Sequence, residues 1–344
     1  MINRILIVGL GNIGKRHLRL ARGLYPSANI KVLRHQQSVD VPEYSNGCLH
    51  CVEDALMFAP QLAVIASPAP FHIAVAQTFA ENGIHLLIEK PLSSSLDGVV
   101  KLLQTCEQHN IVLLTGYNLR FMPSLQQFRS LIIDRVIGKV LSVRCEIGQY
   151  LPSWRSPEDY RKSVSAKEEL GGGALLELSH ELDYLRWIFG EVKWVLANLS
   201  RQSELEIDVE DTAHLILGFE LDQDECQLIG SVNVDFIRHD FTRSCVAIGD
   251  KGSLLWNGLT GDVSILLEGE TEWQVFSRSD SRRDDSYVAE WKHLIACIEE
   301  SEPPFITGFD AFKVLKIIEG ARRSSEIGAK QHIVQTKTLS DKLT

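Results

Sequence analysis

What the chain has little of narrows it first. Among its 344 residues no apolar run approaches the roughly 20 needed to cross a bilayer, so no membrane span is expected. Basic residues are outnumbered, 35 Lys and Arg against 45 Asp and Glu, for a formal net charge of −10. No basic stripe can dominate such a field, which argues against nucleic acid as a partner. Seven cysteines, an odd number scattered along a long chain, do not make a disulfide framework. Cys48 and Cys51 form a lone CxxC with His50 between them, and no second ligand pair follows. Reduced, partly buried thiols are expected there, and no metal site. Low-complexity segments and internal repeats are absent as well. The apolar run ahead of the first glycines is too short for a secretory h-region, and the expectation is a cytoplasmic protein.

What is present is ordinary for a globular chain, 44% hydrophobic and 23% charged, and its length suggests two domains rather than one core. One stretch organises the rest. Ile5-Leu6-Ile7-Val8 is wholly apolar and rich in β-branched residues, as suits a strand buried on both faces. Gly9-Leu10-Gly11-Asn12-Ile13-Gly14 follows directly, and then a helix-compatible run from Lys15 with Leu18 and Ala21 on one face. Gly9 permits the tight turn, Gly11 lets backbone approach a pyrophosphate, and Gly14 lets the helix pack close to the strand. Asn12 and Ile13 complete the loop, whose helix N-terminus offers N–H groups and partial positive charge to phosphates. A strand before and a helix after favour a dinucleotide site over a merely structural turn.

A second strand over 30–33 ends at Arg34. Near this point a carboxylate would bind the 2′-hydroxyl of NAD. None stands there, and Asp40 lies too far along. The Arg34 guanidinium suits a 2′-phosphate, so NADP(H) is favoured with NAD(H) as the alternative; the bland reading is a solvated strand end. After a helix over 53–58, the strand over 62–66 runs into Ser67-Pro68-Ala69-Pro70-Phe71-His72. The prolines stop the strand and stiffen a loop at the sheet's carboxyl edge, where open α/β sheets bind ligands. Ser67 and Pro68 are read as cofactor contacts, and His72 either touches the nicotinamide side or is structural.

A strand over 84–88 leads to Glu89-Lys90-Pro91, both Glu89 and Lys90 being read as lining the cofactor. A lysine held at the end of a buried strand is oddly placed for solubility alone. Beneath a cofactor it would suit proton transfer. A helix over 96–109 and a strand over 111–114 then end in Gly116-Tyr117-Asn118-Leu119-Arg120-Phe121. Repeated strand–helix alternation makes residues 1–122 a doubly wound, mainly parallel sheet.

Taken in order, Gly9 to Gly14, Ala66-Ser67-Pro68 with His72, Glu89-Lys90-Pro91 and the Gly116 to Phe121 motif resemble the Gfo/Idh/MocA oxidoreductases. These are the relatives of glucose–fructose oxidoreductase and inositol 2-dehydrogenase. The resemblance implies a Rossmann domain over 1–122, followed over 123–344 by a substrate-binding and oligomerisation domain. That second domain would be α+β with a large, mostly antiparallel open sheet. The resemblance also implies Tyr117 and Arg120 near the substrate, and a homodimer or homotetramer formed through the sheet's open face.

The second half fits in outline. A helix over 124–133 and a strand over 139–147 precede an irregular stretch holding Trp154, Arg155, Tyr160 and Arg161. These side chains could stack on and hydrogen-bond to a hydroxylated substrate, or simply belong to a surface loop. Gly171-Gly172-Gly173 leads into a helix over 174–189 with Leu178, Leu182, Leu185 and Phe189 on one face. Glu177, His180 and Asp183 fall three apart on another side, so a carboxylate one turn either way would orient His180 and favour its protonation. The resemblance carries Lys90 and His180 across as catalytic residues, with Asp183 as a supporting carboxylate. The family's Asp, four residues before the His, is replaced by Leu176, and Glu177 either substitutes for it or merely stabilises the helix. Beyond Gly190, β-runs over 194–200, 213–219, 227–236, 243–248, 252–256 and 263–267 suggest the antiparallel sheet. Helices over 287–301 and 308–328 close the pattern.

The expected activity is hydride transfer between nicotinamide and a secondary hydroxyl or ketone of a sugar, cyclitol or sugar derivative. Carboxylate-bearing and nucleotide-linked sugars both stay open, in surface-polysaccharide or amino-sugar metabolism. A tightly held, recycling cofactor is one variant; a catalytically weak NAD(P)H-binding sensor or regulatory protein is the alternative.

Overall fold

The computed structural model describes residues 2–34, 40–154, 157–220 and 227–334. Among the described residues these form two compact units, one from residues 2–117 and 287–315, the other from residues 118–286 and 316–334. A single cut after residue 122 does not follow this division, because residues 287–315 return to the first unit. The return is anchored: Trp291 Nε1 donates to His17 Nδ1 at 3.0 Å, the Ile2 amide donates to Glu299 at 2.6 Å, and Thr307 bridges to Leu114. A helical sequence pattern cannot say which sheet it will pack on.

In the first unit the order is β1 (Arg4–Val8), α1 (Asn12–Leu24), β2 (Asn29–Leu33), β3 (Cys48–Leu49), α2 (Val52–Phe58), β4 (Leu62–Ile65), α3 (His72–Glu81), β5 (His85–Ile88), α4 (Val99–Gln108) and β6 (Leu113–Thr115). The six strands run β3-β2-β1-β4-β5-β6, every pair parallel. Ile5 to Val8 and Leu62 to Ile65 are buried in the middle of this sheet, which is why their sequences are apolar without alternation. The chain winds outward from β1 to β3 and then returns to β4 on the other side of β1. That reversal is the switch point at which doubly wound sheets open a ligand crevice. The two-residue β3 was not anticipated from sequence; it is too short to carry a pattern. The CxxC thiols make local bonds. Cys51 Sγ accepts the Asp54 amide at the start of α2, and Cys48 Sγ accepts from Arg34 Nε at 3.1 Å.

The second unit contains α5 (Pro123–Ile133), β7 (Val140–Gly148), α6 (Leu151–Trp154), α7 (Ala174–Glu177), α8 (His180–Phe189), β8 (Val192–Ser200), β9 (Thr212–Phe219), β10 (Ile229–Asp235), β11 (Thr242–Gly249), β12 (Gly252–Asn257), β13 (Asp262–Leu267) and β14 (Gln274–Arg278). The chain then continues through α9 (Asp285–Glu299) and α10 (Gly308–Ile327) to β15 (Gln331–His332). The sheet has nine strands in the order β14-β13-β12-β11-β7-β10-β9-β8-β15. All neighbours are antiparallel except β7 and β10. Buried contacts pin helices to one face: Trp256 Nε1 on β12 donates to Ser124 on α5, and Cys145 on β7 meets the Tyr184 hydroxyl on α8 at 2.9 Å. On β8 and β9, Leu196 and Ile216 alternate with buried residues and stand exposed.

One expected element is corrected. The helix over 174–189 is two helices, because Leu178 (φ −102°, ψ 27°) leaves the helical conformation after Glu177 and α8 starts afresh at His180. Each half has its own anchor. The start of α7 is held by Glu210, which accepts from the Leu175 amide at 3.0 Å and whose carboxylate fills the space where a Gly173 Cβ would stand. α8 is held by Asp183 and Tyr184 instead. Continuous helical periodicity in the sequence did not reveal these two competing restraints.

Candidate functional site

The glycine turn sits at the carboxyl end of β1, and its three glycines have separable reasons. At Gly9 φ is +88°, and an added Cβ would lie 2.8 Å from the Ala66 carbonyl oxygen at the end of β4. At Gly14 a Cβ would stand 2.2 Å from the Gly9 oxygen. Both are therefore demanded by packing. Gly11 differs: a Cβ there would meet nothing within 4 Å, so no protein contact requires the glycine. Close approach of a ligand backbone or phosphate is the reason that remains. Gly11 is also the N-cap of α1 with no side-chain cap, and the first turn, including Asn12 and Ile13, carries no acidic residue. Free N–H groups without a competing carboxylate fit the phosphates of a dinucleotide.

Beside this turn lies a cavity of about 600 Å³ whose lining includes Lys15, Arg16, Arg19 and Arg34 together with Asp40 and Glu43. Arg34 is half-buried there: Nε donates to Cys48 and Nη2 donates to the Asp40 carbonyl at 2.9 Å. The apolar face of the helix after the glycines does not point to Lys15, Arg16 and Arg19, which line the cavity. Their signal was available, since Lys15 and Arg16 directly follow Gly14.

At the end of β5, Lys90 is half-buried and its amide donates to Glu89 Oε2 at 3.1 Å. Glu89 is buried, and its Oε1 lies 2.6 Å from His17 Nε2. A Gly116 Cβ would stand 3.0 Å from Glu89 Oε2, so the glycine of the Gly116 to Phe121 motif makes room for this carboxylate. His72 is buried, with Nε2 2.6 Å from the Ser67 carbonyl and Nδ1 3.1 Å from that of Pro91. It staples the loop after β4 to the loop after β5. Burial pushes its pKa below the ordinary value, with the two carbonyls acting the other way. A neutral imidazole donates to only one of these two carbonyls.

The remaining candidates lie in the second unit, apart from Tyr117, which is a fully buried ring of the first. Arg120, read as substrate-binding, is only 3% exposed and grips Asp183 with two bonds, Nε to Oδ2 at 2.9 Å and Nη2 to Oδ1 at 2.6 Å. Neither Tyr117 nor Arg120 presents a solvent-facing surface to a substrate. His180 is the buried first residue of α8, directly after the break. Because of that break, Glu177 and Asp183 do not flank it on one continuous helix. Glu177 Oε2 accepts from Ser165 at 2.7 Å, while Asp183 is charge-paired with Arg120. Trp154 is half-buried at the end of α6 against Phe236, their ring centres 6.0 Å apart. The Tyr160 hydroxyl accepts the Glu206 amide at 3.2 Å. Arg161 is an exposed ion pair with Asp159 and Glu206, which holds the Asp159 carboxyl below its ordinary range. Arg155 lies outside the described residues. Among the described residues no cluster of three metal-ligating side chains occurs.

Comparison with known proteins matches both halves. The chain is 25% identical over 340 residues to the myo-inositol 2-dehydrogenase of Thermotoga maritima, covering 94% of this chain and 96% of that protein. It is 29% identical over 208 residues to an uncharacterised oxidoreductase of Synechocystis sp., covering 57% of this chain but only 54% of that protein. In structure it resembles levoglucosan dehydrogenase, solved in complex with NADH, with a TM-score of 0.84 at 19% identity over 97% of this chain and 99% of the other. At that identity the likeness speaks for the fold. Residues 3–117 match the family model for the oxidoreductase family's NAD-binding Rossmann fold, and residues 129–333 match its C-terminal alpha/beta domain. With the glycine turn, the parallel sheet and the nine-stranded sheet in their expected places, the chain belongs to the Gfo/Idh/MocA oxidoreductase family.

Proposed function

We propose that the protein is an NAD(P)-dependent oxidoreductase acting at a secondary hydroxyl or ketone of a sugar, cyclitol or sugar derivative. The observation that carries this reading is the turn after β1, where packing explains Gly9 and Gly14 and leaves Gly11 open for a phosphate. Similarity to a myo-inositol 2-dehydrogenase along nearly the whole chain supports a polyol-like substrate. Bound nicotinamide would supply or accept the hydride. Lys90 and His180 are assigned the proton at the substrate oxygen, taking it from the hydroxyl on oxidation and returning it on reduction. Asp183, held by Arg120, is assigned as a supporting carboxylate, and Glu177, bonded to Ser165, either takes the place of the family's Asp or only stabilises its own short helix. Trp154, Tyr160 and Arg161 are assigned to holding the substrate.

NADP(H) is the favoured cofactor. Four cations line the cavity beside the turn against two carboxylates, an excess suited to a 2′-phosphate. Calorimetric titration with NADH and NADPH, repeated on Arg34→Asp, tests both levels. NADPH preference lost in the variant is the expected result. NADH preference would remove the 2′-phosphate reading and leave the dehydrogenase standing, whereas a folded protein that binds neither would overturn the cofactor site. Tight binding without turnover across a panel of sugars and cyclitols would favour the sensor reading instead.

A further inference from the structure

Inside the first unit a chain of hydrogen bonds runs from α9, late in the sequence, to the corner at Lys90. Trp291 on α9 donates its indole N–H to His17 Nδ1 on α1 at 3.0 Å. His17 Nε2 lies 2.6 Å from Glu89 Oε1, and Glu89 Oε2 accepts the Lys90 amide at 3.1 Å. Trp291, His17 and Glu89 are all buried, the first two completely. Tyr287 meets the His17 ring edge-on at 5.8 Å, and Tyr25 packs against the Trp291 indole with ring centres 6.3 Å apart. The proposed reaction gives Trp291 and His17 no task.

The direction of each bond follows from donor chemistry. Indole nitrogen donates only, so His17 Nδ1 is the acceptor and the imidazole carries its proton on Nε2. Nε2–H therefore donates to Glu89 Oε1. Without the indole both tautomers would be open to His17, and the Nδ1–H form turns a lone pair toward the carboxylate. A buried acceptor that loses its donor bears the full cost of desolvation. Turning to find another donor would take Glu89 away from the Lys90 amide.

We propose that Trp291 and His17 are positioning residues for Lys90. Trp291 selects the imidazole tautomer, and that tautomer holds Glu89 in the orientation that fixes the Lys90 amide. The same corner is restrained elsewhere too: His72 Nδ1 lies 3.1 Å from the Pro91 carbonyl, and Gly116 leaves room for the Glu89 carboxylate. The effect on turnover rests on the reading of Lys90 as an acid–base group; the chain of bonds does not.

Nitrogen NMR of the full-length protein, labelled at histidine and lysine, reads both ends of the chain. The wild type should show His17 as the Nε2–H tautomer and the Lys90 amide proton shifted downfield by its carboxylate partner. Trp291→Phe keeps an aromatic ring without the N–H; it should give mixed tautomers and move the Lys90 amide signal upfield. In His17→Gln, which keeps a donor for Glu89, that signal should stay near its wild-type position. Kinetics provide the second arm. Trp291→Phe and His17→Leu should each lower kcat about tenfold with KM for NAD(P)H within about twofold, and His17→Gln should stay within about threefold of the wild type. An Nδ1–H tautomer in the wild type, a Lys90 amide unmoved in Trp291→Phe, or a glutamine variant as impaired as leucine would each overturn the proposal. If the leucine variant does not fold, the spectra of Trp291→Phe and His17→Gln decide alone. Spectra that behave as expected with kcat unmoved, or in a protein without turnover, would support the positioning role and count only against the acid–base reading of Lys90.

Discussion

At the scale of single residues, the three glycines of the nucleotide turn make a controlled comparison. Gly14→Ala forces a Cβ to 2.2 Å from a backbone oxygen, so the helix must move and stability should fall by about 1–3 kcal/mol. Gly11→Ala meets nothing, and as an N-cap exchange it should cost no more than about 1 kcal/mol. Its predicted effect is on binding, with dinucleotide affinity falling about tenfold or more where a methyl meets the phosphates. Thermal melts beside calorimetric titrations check the pair; unchanged affinity in Gly11→Ala would remove the close-approach argument. The sequence already assigned these jobs, because strand, glycines and helix are contiguous. It could not show that Arg34 is held by Cys48 and Asp40, since β3 and the segment before it reach the strand end only in the fold.

At the scale of elements, the Arg120–Asp183 pair ties the turn Asn118–Phe121 to α8. Both side chains are nearly inaccessible, at 3% and 1% exposure, so either charge left alone would be buried without compensation. Arg120→Leu should therefore destabilise by about 3–5 kcal/mol, and adding Asp183→Leu should recover much of that loss. Urea denaturation of the single and double variants measures the coupling. A double variant no better than the single would show that the pair's geometry, not the unpaired charge, is what matters. From the sequence and its family resemblance alone, Arg120 reads as a substrate contact and Asp183 as a support for His180. Spacing along a helix identifies neighbours within that helix, and Arg120 lies 63 residues away.

At the scale of the whole molecule, the nine-stranded sheet has one face packed by helices and another on which Leu196 and Ile216 stand side by side in register. They are 37% and 42% exposed. The family resemblance implies a homodimer or homotetramer through this open face. Light scattering after size exclusion should give a multiple of the 38.6 kDa chain mass, and Leu196→Glu with Ile216→Glu should reduce it to that of one chain. A monomeric wild type would end this expectation; an oligomer indifferent to both charges would move the interface elsewhere.

The sequence by itself determined whatever is local or periodic. It set the buried parallel strands, the glycine turn between β1 and α1, the Glu89-Lys90-Pro91 corner and the antiparallel runs after Gly190, because these follow from period, turn chemistry and contiguous motif. Tertiary structure decided what depends on partners distant in the chain. It broke the 174–189 helix through separate anchors at Glu210 and Arg120. It returned residues 287–315 to the first unit, and so placed Trp291 on His17 and buried Glu290. The free energy of a buried polar group depends on which donors and charges surround it, and those are chosen by the fold rather than by neighbouring letters.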